Sequence, residues 1–131
     1  FNSYFHLAKL LIDPEDYEKA KKNYLIAIDI NQDFYEAHYC LGKLLSIGMQ
    51  NDENGTLIKK PEYDIAIIHL KKAIQINKEF AKAHFQLGLI HKIQKNHEAS
   101  LKHLKIALKI DNDFSKAHYH IAMLYKDMMN G

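Results

Sequence analysis

The sequence predicts an all-α protein built as a solenoid of helical hairpins. Three observations support this fold class: nine residues recur three times, the copies are regularly spaced, and apolar residues follow a helical rhythm. The copies read FYEAHYCLG at 34–42, FAKAHFQLG at 80–88 and FSKAHYHIA at 114–122. Ala83 and Ala117 lie 34 residues apart, whereas Ala37 and Ala83 lie 46 apart, which is one period plus an insertion of 12. A fixed period of this length is typical of repeat architectures.

The repeat divides the chain, residues 1–131, into units of one kind. Three full units span 1–34, 35–80 and 81–114, and a half-unit helix spans 115–129. The second unit carries the 12-residue insertion, near 49–62. Because each full unit has room for two helices, we expect seven helices in a single array.

Apolar residues mark each half of a unit as a helix. In the second halves they recur every three or four positions, as between Ala66 and Ile74, which places them in one stripe on the helix surface. Asp13-Pro14-Glu15 supplies a cap, a ring with a helical φ and an acid in the first turn. Lys60-Pro61-Glu62 marks the start of the later helix of the second unit. Asp33 with Glu36 is compatible with a capping box.

The insertion, MQNDENGTLIKKPE, contains the strong turn dipeptide Asn54-Gly55. It is expected either to extend both neighbouring helices slightly and then turn, or to form a loose loop. Leu57 and Ile58 are apolar residues in an otherwise polar segment. A contact with a partner protein is therefore the alternative to a length variation that has no role.

The unit resembles the tetratricopeptide repeat (TPR), a helix–turn–helix unit of the same period. The resemblance rests on small residues where paired helices touch and on a leucine of the first helix. These are Ala8, Gly42, Gly88 and Ala122; Ala20, Ala66 and Ser100; Ala27, Ala73 and Ala107; and Leu7, Leu41, Leu87 and Ile121. Helix axes about 8–10 Å apart leave no room for larger side chains. The family's proline between repeats is replaced by Gln32, Lys78 and Asn112, and its first-helix tryptophan by Tyr4, His38, His84 and His118.

The resemblance implies a right-handed solenoid whose first helices line a concave groove. The inward positions hold an aromatic ladder of Phe5, Tyr39, Phe85 and Tyr119, and six lysines against three acids. The candidate peptide-binding residues are Phe5, Lys9, Tyr39, Lys43, Lys82, Phe85, Gln86, Leu89, Lys116, Tyr119, His120 and Met123. Aromatic anchors within a polar rim are typical of peptide grooves. The alternative is that the aromatics pack against the next repeat and the lysines form a solvated face.

Two known modes of peptide binding by TPR proteins are not supported. The carboxylate-clamp positions of co-chaperones are occupied here by Phe5, Lys9, Cys40, Lys82 and Gln86, of which only Lys82 fits. The asparagine ladder of O-linked N-acetylglucosamine transferase is replaced by His6, Cys40, Gln86 and His120. The excess of lysine still favours an acidic or amphipathic peptide over a basic one.

Other classes of function find little support in the sequence. His38, His84 and His118 recur once per unit, so they follow the repeat and do not converge on a metal, and no cofactor is expected. Cys40 is the single cysteine and has no base placed beside it. A net charge of +2 with scattered lysines disfavours nucleic acid. The sequence contains no apolar run long enough to span a membrane.

We therefore expect a non-catalytic protein–protein interaction scaffold that holds a peptide or helix of a partner in its concave groove, as part of a larger protein. The alternative is a positioning or regulatory arm of an enzyme or transcription regulator whose active domain lies outside residues 1–131. A cytoplasmic location is favoured, although the sequence does not fix the compartment. The final helix carries Ile121, Leu124, Tyr125, Met128 and Met129. Its apolar face is expected to meet further repeats or to support self-association.

Overall fold

The computed structural model describes residues 16–130 and shows a repeat of helical hairpins. Its helices are α1 (Tyr17–Ile30), α2 (Tyr35–Ile47), α3 (Tyr63–Ile76), α4 (Ala81–Ile93), α5 (His97–Ile110) and α6 (Ser115–Asn130). Two short strands, β1 (Met49–Asn51) and β2 (Leu57–Lys59), lie between α2 and α3. The described residues thus hold six helices where the sequence predicts seven for the whole chain. The remaining predicted helix falls within residues 1–15, outside the described residues.

The chain forms two compact units, residues 1–76 and 77–131, which are distinct from the repeat units of the sequence. In the structure, the first unit is residues 1–76 and the second unit is residues 77–131. In the first unit, α2 and α3 form an extensively paired hairpin, and α1 packs against α2. In the second unit, α4 and α5 form the equivalent hairpin, and α6 packs mainly against α5. The all-helical TPR-like fold predicted from the period is confirmed.

Both hairpins close around a glycine of their first helix. A Cβ atom added to Gly42 would lie 2.7 Å from Leu70 Cγ, and one added to Gly88 would lie 2.8 Å from Leu104 Cγ. These distances are shorter than real carbon contacts, so the leucine of the second helix occupies the space that a side chain would need. In the second hairpin the Ser100 hydroxyl also donates a hydrogen bond of 2.6 Å to the Gly88 carbonyl. Small residues at these positions are therefore a steric requirement.

The core repeats in the same way as the sequence. It consists of alanines and leucines at equivalent positions of successive helices. Residues that are buried essentially completely include Ala27, Ala37, Leu41, Ala66, Leu70, Ala73, Ala83, Leu87, Leu104, Ala107, Ala117 and Leu124. Apolar burial of this kind is the main favourable contribution to folding of the hairpins.

The turns between repeats are ordered by side chains in place of the family's proline. Asn31 Oδ1 accepts a hydrogen bond from the Asp33 amide at 3.1 Å, and Asn77 and Asp111 make the same contact in the later turns. Such Asx turns mimic a backbone turn. The proposed capping box is not formed, because Phe34 precedes α2 at the cap position and no side-chain cap bond is present there.

One histidine on each of α2, α4 and α6 forms a hydrogen bond with the turn that precedes the helix. Nε2 of His38 lies 3.0 Å from the Gln32 carbonyl oxygen, and His118 makes the same contact with Asn112 at 3.0 Å. His84 and Lys78 are the corresponding pair, at 3.4 Å. A carbonyl oxygen only accepts, so Nε2 of each ring carries the proton. The histidines that replace the family's tryptophan thus bond the residues that replace its proline.

Each hairpin also contains a pair of histidines. Nδ1 of His38 lies 3.1 Å from Nδ1 of His69, and the rings are stacked with centroids 5.4 Å apart. In the second hairpin the Nδ1 atoms of His84 and His103 are 3.5 Å apart and the centroids 5.7 Å apart. Because Nε2 of His38 is protonated, its Nδ1 accepts and Nδ1 of His69 donates when both rings are neutral.

Burial lowers the pKa of three of the paired histidines, His38, His69 and His84. Desolvation is the main cause that lowers the pKa of His38, with Lys72 adding to it, while the Gln32 carbonyl and Asp33 oppose it. Desolvation and the neighbouring His38 lower the pKa of His69. In the second hairpin desolvation lowers the pKa of His84, and the Lys78 carbonyl opposes it.

The insertion forms a β-hairpin rather than extended helices or a loose loop. β1 and β2 pair antiparallel, with Met49 opposite Lys59. Asp52 Oδ1 accepts from the amides of Asn54 at 2.9 Å and Thr56 at 2.8 Å, and Gly55 adopts a φ of +79°. The Asn54-Gly55 turn is therefore located correctly by the sequence. The strands are not, because three residues are too few for an alternating pattern to be recognised.

Gly88→Leu should lower the free energy of unfolding by about 1–3 kcal/mol, because the new side chain would collide with Leu104. Ala122→Leu is the matched control, since Ala122 occupies the equivalent position of α6 and is exposed. Its effect should stay within about 0.5 kcal/mol. Urea denaturation followed by circular dichroism measures both. Equal effects at the two positions would contradict the steric role of Gly88.

The paired histidines should make the protein less stable in mild acid. The pKa values of His38, His69 and His84 lie below the ordinary value of 6.5 in the folded chain, so the unfolded chain binds protons more readily at these rings. The contribution of these histidines to the free energy of unfolding should be present in full above pH 6.5. It should decrease as the pH drops below that value. His69→Gln, which keeps a donor for His38, should reduce this pH dependence. Urea midpoints at several pH values give the answer, and an unchanged slope in His69→Gln would refute the role of the pair.

Candidate peptide-binding surface

The structure distributes the predicted site residues between the two units. Phe5 and Lys9 lie outside the described residues. Tyr39 and Lys43 lie on α2, in the first unit. The other eight lie on two first helices of the second unit, α4 and α6, and are Lys82, Phe85, Gln86, Leu89, Lys116, Tyr119, His120 and Met123. A site can therefore be built from contacts only where α4 and α6 meet.

The aromatic ladder is not uniform. Phe85 is only 8% exposed, whereas Tyr119, at the equivalent position of α6, is 61% exposed. The ring of Phe85 packs against Phe114, with centroids 4.8 Å apart, and against the edge of His120 at 5.6 Å. Gln86 is also buried. Phe85 thus packs against α6 and the turn before it, as in the alternative that the sequence left open, and both Phe85 and Gln86 offer a ligand little surface.

His120 on α6 makes a polar contact with α4. Its Nδ1 lies 3.4 Å from the ammonium group of Lys92, and its ring meets the ring of Tyr119 edge-on at a centroid distance of 5.3 Å. Burial lowers the pKa of His120, and the charges of Lys92 and Lys116 lower it further. The neutral imidazole accepts from Lys92 at Nδ1 and has Nε2–H left as a donor.

Among residues 16–130, no acidic side chain forms an ion pair with Lys82, Lys92 or Lys116. Lys82 and Lys116 are exposed and Lys92 is half-buried. In the part of the chain that the structure describes, the ion pairs join Lys19 to Asp16 and Lys21 to Glu62, far along the sequence from these lysines. The surface formed by Lys92, Lys116, Tyr119 and His120, here called the His120 cluster, thus presents unpaired positive charge beside an exposed aromatic ring. Lys92 is one of the six lysines at the inward positions, but it is not one of the candidate peptide-binding residues. Its distance to His120 in the structure is what identifies it as part of this surface.

The α2 candidates form a separate environment. Burial, and after it the neighbouring Cys40, raises the pKa of Tyr39 to about 12. The pKa of Tyr24 on α1 is also raised, by burial and by the contact with Cys40. Cys40 is half-buried, and Lys43 is exposed. Tyr39 keeps a partly accessible ring.

Two further properties concern the described residues as a whole. Within residues 16–130, no group of three or more histidine, cysteine, aspartate or glutamate side chains is arranged to hold a metal ion. Among the helices seen in that range, none has both the length and the apolar character needed to cross a bilayer.

Several solved structures are similar to this chain. The first TPR of Spaghetti (RPAP3), bound to the HSP90 peptide SRMEEVD, superposes with a TM-score of 0.79 at 12% identity, covering 97% of this chain and 91% of that one. MamA gives 0.76 at 23% identity, covering 97% and 67%. A mutant O-GlcNAc transferase from Thermobaculum terrenum gives 0.72 at 23% identity, covering 93% of this chain but only 21% of the transferase. At these identities the likeness establishes the fold alone.

Sequence comparison gives the family directly. No curated protein sequence matches the chain significantly. The sequence profile of the tetratricopeptide repeat, however, matches residues 1–34 and 81–114, which together make up more than half of the chain. These are the first and third units of the internal repeat, and the second matched segment spans α4, α5 and the turn before α6. The chain therefore belongs to the tetratricopeptide repeat family.

Proposed function

We propose that this protein is a non-catalytic scaffold that binds an acidic or amphipathic peptide of a partner protein, as part of a larger protein. The tetratricopeptide fold is a protein–protein interaction scaffold. The observation that carries the finer proposal is the His120 cluster, in which Lys92 and Lys116 lie beside an imidazole and form no ion pair with an acid of the described residues.

The cluster has the chemistry that an acidic side chain or a carboxylate needs. Lysine ammonium groups and the Nε2–H of His120 can donate charge-assisted hydrogen bonds to carboxylate oxygens. The exposed ring of Tyr119 offers apolar contact next to them, as an anchor residue does in a peptide interface. Because Phe85 is buried, it supports this surface from below through its contact with His120.

Similar structures support peptide binding in this fold. The RPAP3 domain is bound to a peptide that contains three acidic residues, and YrrB is described as a TPR protein with an unusual peptide-binding site. YrrB superposes with a TM-score of 0.71 at 20% identity, covering 89% of this chain and 54% of YrrB. Neither likeness transfers its ligand. The carboxylate-clamp positions of this chain differ, so we place the acidic group at the His120 cluster.

A second candidate function is a positioning or regulatory arm of an enzyme or transcription regulator. The observation that favours it is the O-GlcNAc transferase, in which a region like this chain makes up 21% of a much longer protein. An arm of this kind would use the same groove. A cytoplasmic location remains a prediction under either function.

Removing the unpaired charges should weaken binding of an acidic peptide. The double variant Lys92→Gln/Lys116→Gln should bind the peptide SRMEEVD on the order of tenfold more weakly. The loss is modest because each of the two charge contacts is exposed or half-exposed. The matched control is Lys102→Gln/Lys105→Gln, which removes two exposed lysines from α5. Isothermal titration calorimetry with SRMEEVD and with SRMQQVN, in which amides replace the three acidic side chains, measures the difference. Equal losses in both double variants, or equal affinity for both peptides, would contradict the proposal.

An acidic ligand should raise the pKa of His120. Lysine charges and burial lower it in the free protein, and a bound carboxylate would offset the charges. Binding should therefore strengthen as the pH falls towards the pKa of His120, as long as the protein stays folded. Titration of the His120 ring by NMR, with and without SRMEEVD, measures the shift. The ring of His118, which lies on another side of α6, serves as the reference, and a shift of equal size there would argue against a local effect.

A further inference from the structure

The exposed side of α3 differs from the exposed sides of the equivalent helices α1 and α5. Ile68 stands where α1 and α5 each carry a lysine, and Lys72 stands where both carry an isoleucine. The equivalent residues are Lys22 and Lys102 for the first position, and Ile26 and Ile106 for the second. Ile68 is 64% exposed, and Lys72 is exposed as well. The repeat itself does not require this exchange, so these two residues are specific to the first hairpin.

Two hollows lie beside these residues and share a wall. One, of about 330 Å³, is lined by Leu25 of α1, and the other, of about 460 Å³, is lined by Ile68 of α3. His38 and Lys72 line both of them. Hollows of this size are in the range of ligand sites. We call the two hollows, lined by Leu25, His38, Ile68 and Lys72, the Lys72 groove. All four residues belong to the first unit.

The middle of the Lys72 groove carries positive charge. In the range 16–130, neither Lys71 nor Lys72 forms an ion pair with an acidic side chain. The charge of Lys72 reaches His38, because it contributes to the lowered pKa of that buried ring. Asp29 lines only the hollow at α1, whereas Lys71 and Lys72 both line the hollow along α3. A ligand group at Lys72 should therefore be an anion.

The rest of the lining indicates an extended peptide. Leu25 is 45% exposed, so each hollow offers an apolar side chain. Each hollow also has one exposed glutamine, Gln32 at α1 and Gln75 at α3. A side-chain amide both donates and accepts hydrogen bonds, as a peptide group does. The alkyl chain of a fatty acid would instead need an enclosed apolar cavity.

We propose that the Lys72 groove binds an extended segment of a partner protein that carries a carboxylate between two apolar side chains. The carboxylate contacts the ammonium group of Lys72, and the apolar side chains enter the hollows beside Leu25 and Ile68. Alternate side chains of an extended chain point to the same side, so the three recognised residues are two positions apart. The groove lies in the first unit and the His120 cluster in the second, so the proposal does not depend on the proposed function.

Two five-residue peptides, LSESL and LSQSL, test the recognition of the carboxylate. Both are acetylated and amidated, which removes the terminal charges. The protein is the full chain with Lys92→Gln/Lys116→Gln, so that the His120 cluster does not contribute. LSESL should bind about fivefold more tightly than LSQSL, as expected for one exposed charge contact. The shifts of the backbone amide signals of α1 and α3 in NMR titrations measure both affinities.

Three variants locate the contacts. Lys72→Ile should abolish the preference for LSESL, and the fold should tolerate it because α1 and α5 have isoleucine at this position. Ile68→Gln should weaken both peptides by the same factor and leave the preference unchanged, because it alters only the apolar contact. Lys105→Gln removes an exposed lysine from α5 and is the matched control, with no effect on either peptide.

The pKa of His38 gives an independent readout. A carboxylate bound at Lys72 offsets the lysine charge, so LSESL should raise the pKa of His38 relative to LSQSL. The other groups that act on this ring, His69 of α3 and Asp33 of the turn, are the same with both peptides. His84 is the reference, because burial and not a lysine lowers its pKa. NMR titration of the two rings measures the difference.

Several outcomes would overturn the proposal. Equal affinities of the two peptides, a preference that survives Lys72→Ile, or no binding of either peptide would each do so. Decanoate that shifts the same amide signals and that LSESL does not displace would make a fatty acid the occupant. Shifts of these signals that follow the protein concentration alone would make it a second copy of the chain. Since the background lacks the charges of Lys92 and Lys116, failure of the His120 cluster leaves each of these results unaffected.

Discussion

The close approach of two helices at a glycine is the constraint on which the hairpins depend. At Gly42 and Gly88 the leucine of the second helix fills the space of a missing side chain. Only at this distance can Ser100 reach the Gly88 carbonyl and the paired histidines bring their Nδ1 atoms together. Dispersion contacts and a few short hydrogen bonds fall off steeply with separation, so one added methyl group would disturb all of them at once.

The histidines show how the chain compensates for its departures from the family pattern. The proline that stiffens the turn between repeats and the tryptophan of the first helix are both absent. In their place, His38 and its equivalents bond the carbonyl of the residue at the proline position, while an Asx turn orders the same segment. The replacement links turn and helix by a hydrogen bond that Nε2–H donates, and the ring keeps this donor whether it is neutral or protonated. Only the Nδ1–Nδ1 contact of a histidine pair needs a neutral acceptor, so protonation acts on the pairing of the two helices and not on the turn.

The candidate binding surface lies on α6, where equivalent residues of the repeat differ in burial. Phe85 and Tyr119 occupy equivalent positions, yet α6 covers the first and no described residue covers the second. His84 is likewise covered, by His103 of α5, whereas His118 is exposed. The proposed acidic site therefore lies at α6, in the His120 cluster.

The sequence alone determined the period, the presence of the six described helices, the small residues at the helix crossings and the position of the Asn54-Gly55 turn. These properties are local or periodic, so the pattern that predicts them is visible in each copy of the repeat separately. It did not determine that Phe85 is buried while Tyr119 is open, that Lys92 reaches His120, or that His38 and His69 meet across a hairpin. Near-identical segments have the same local preferences, so the difference between them lies in which neighbours surround each copy. The tertiary structure decided that, because burial and hydrogen-bond distance are properties of the assembled helices.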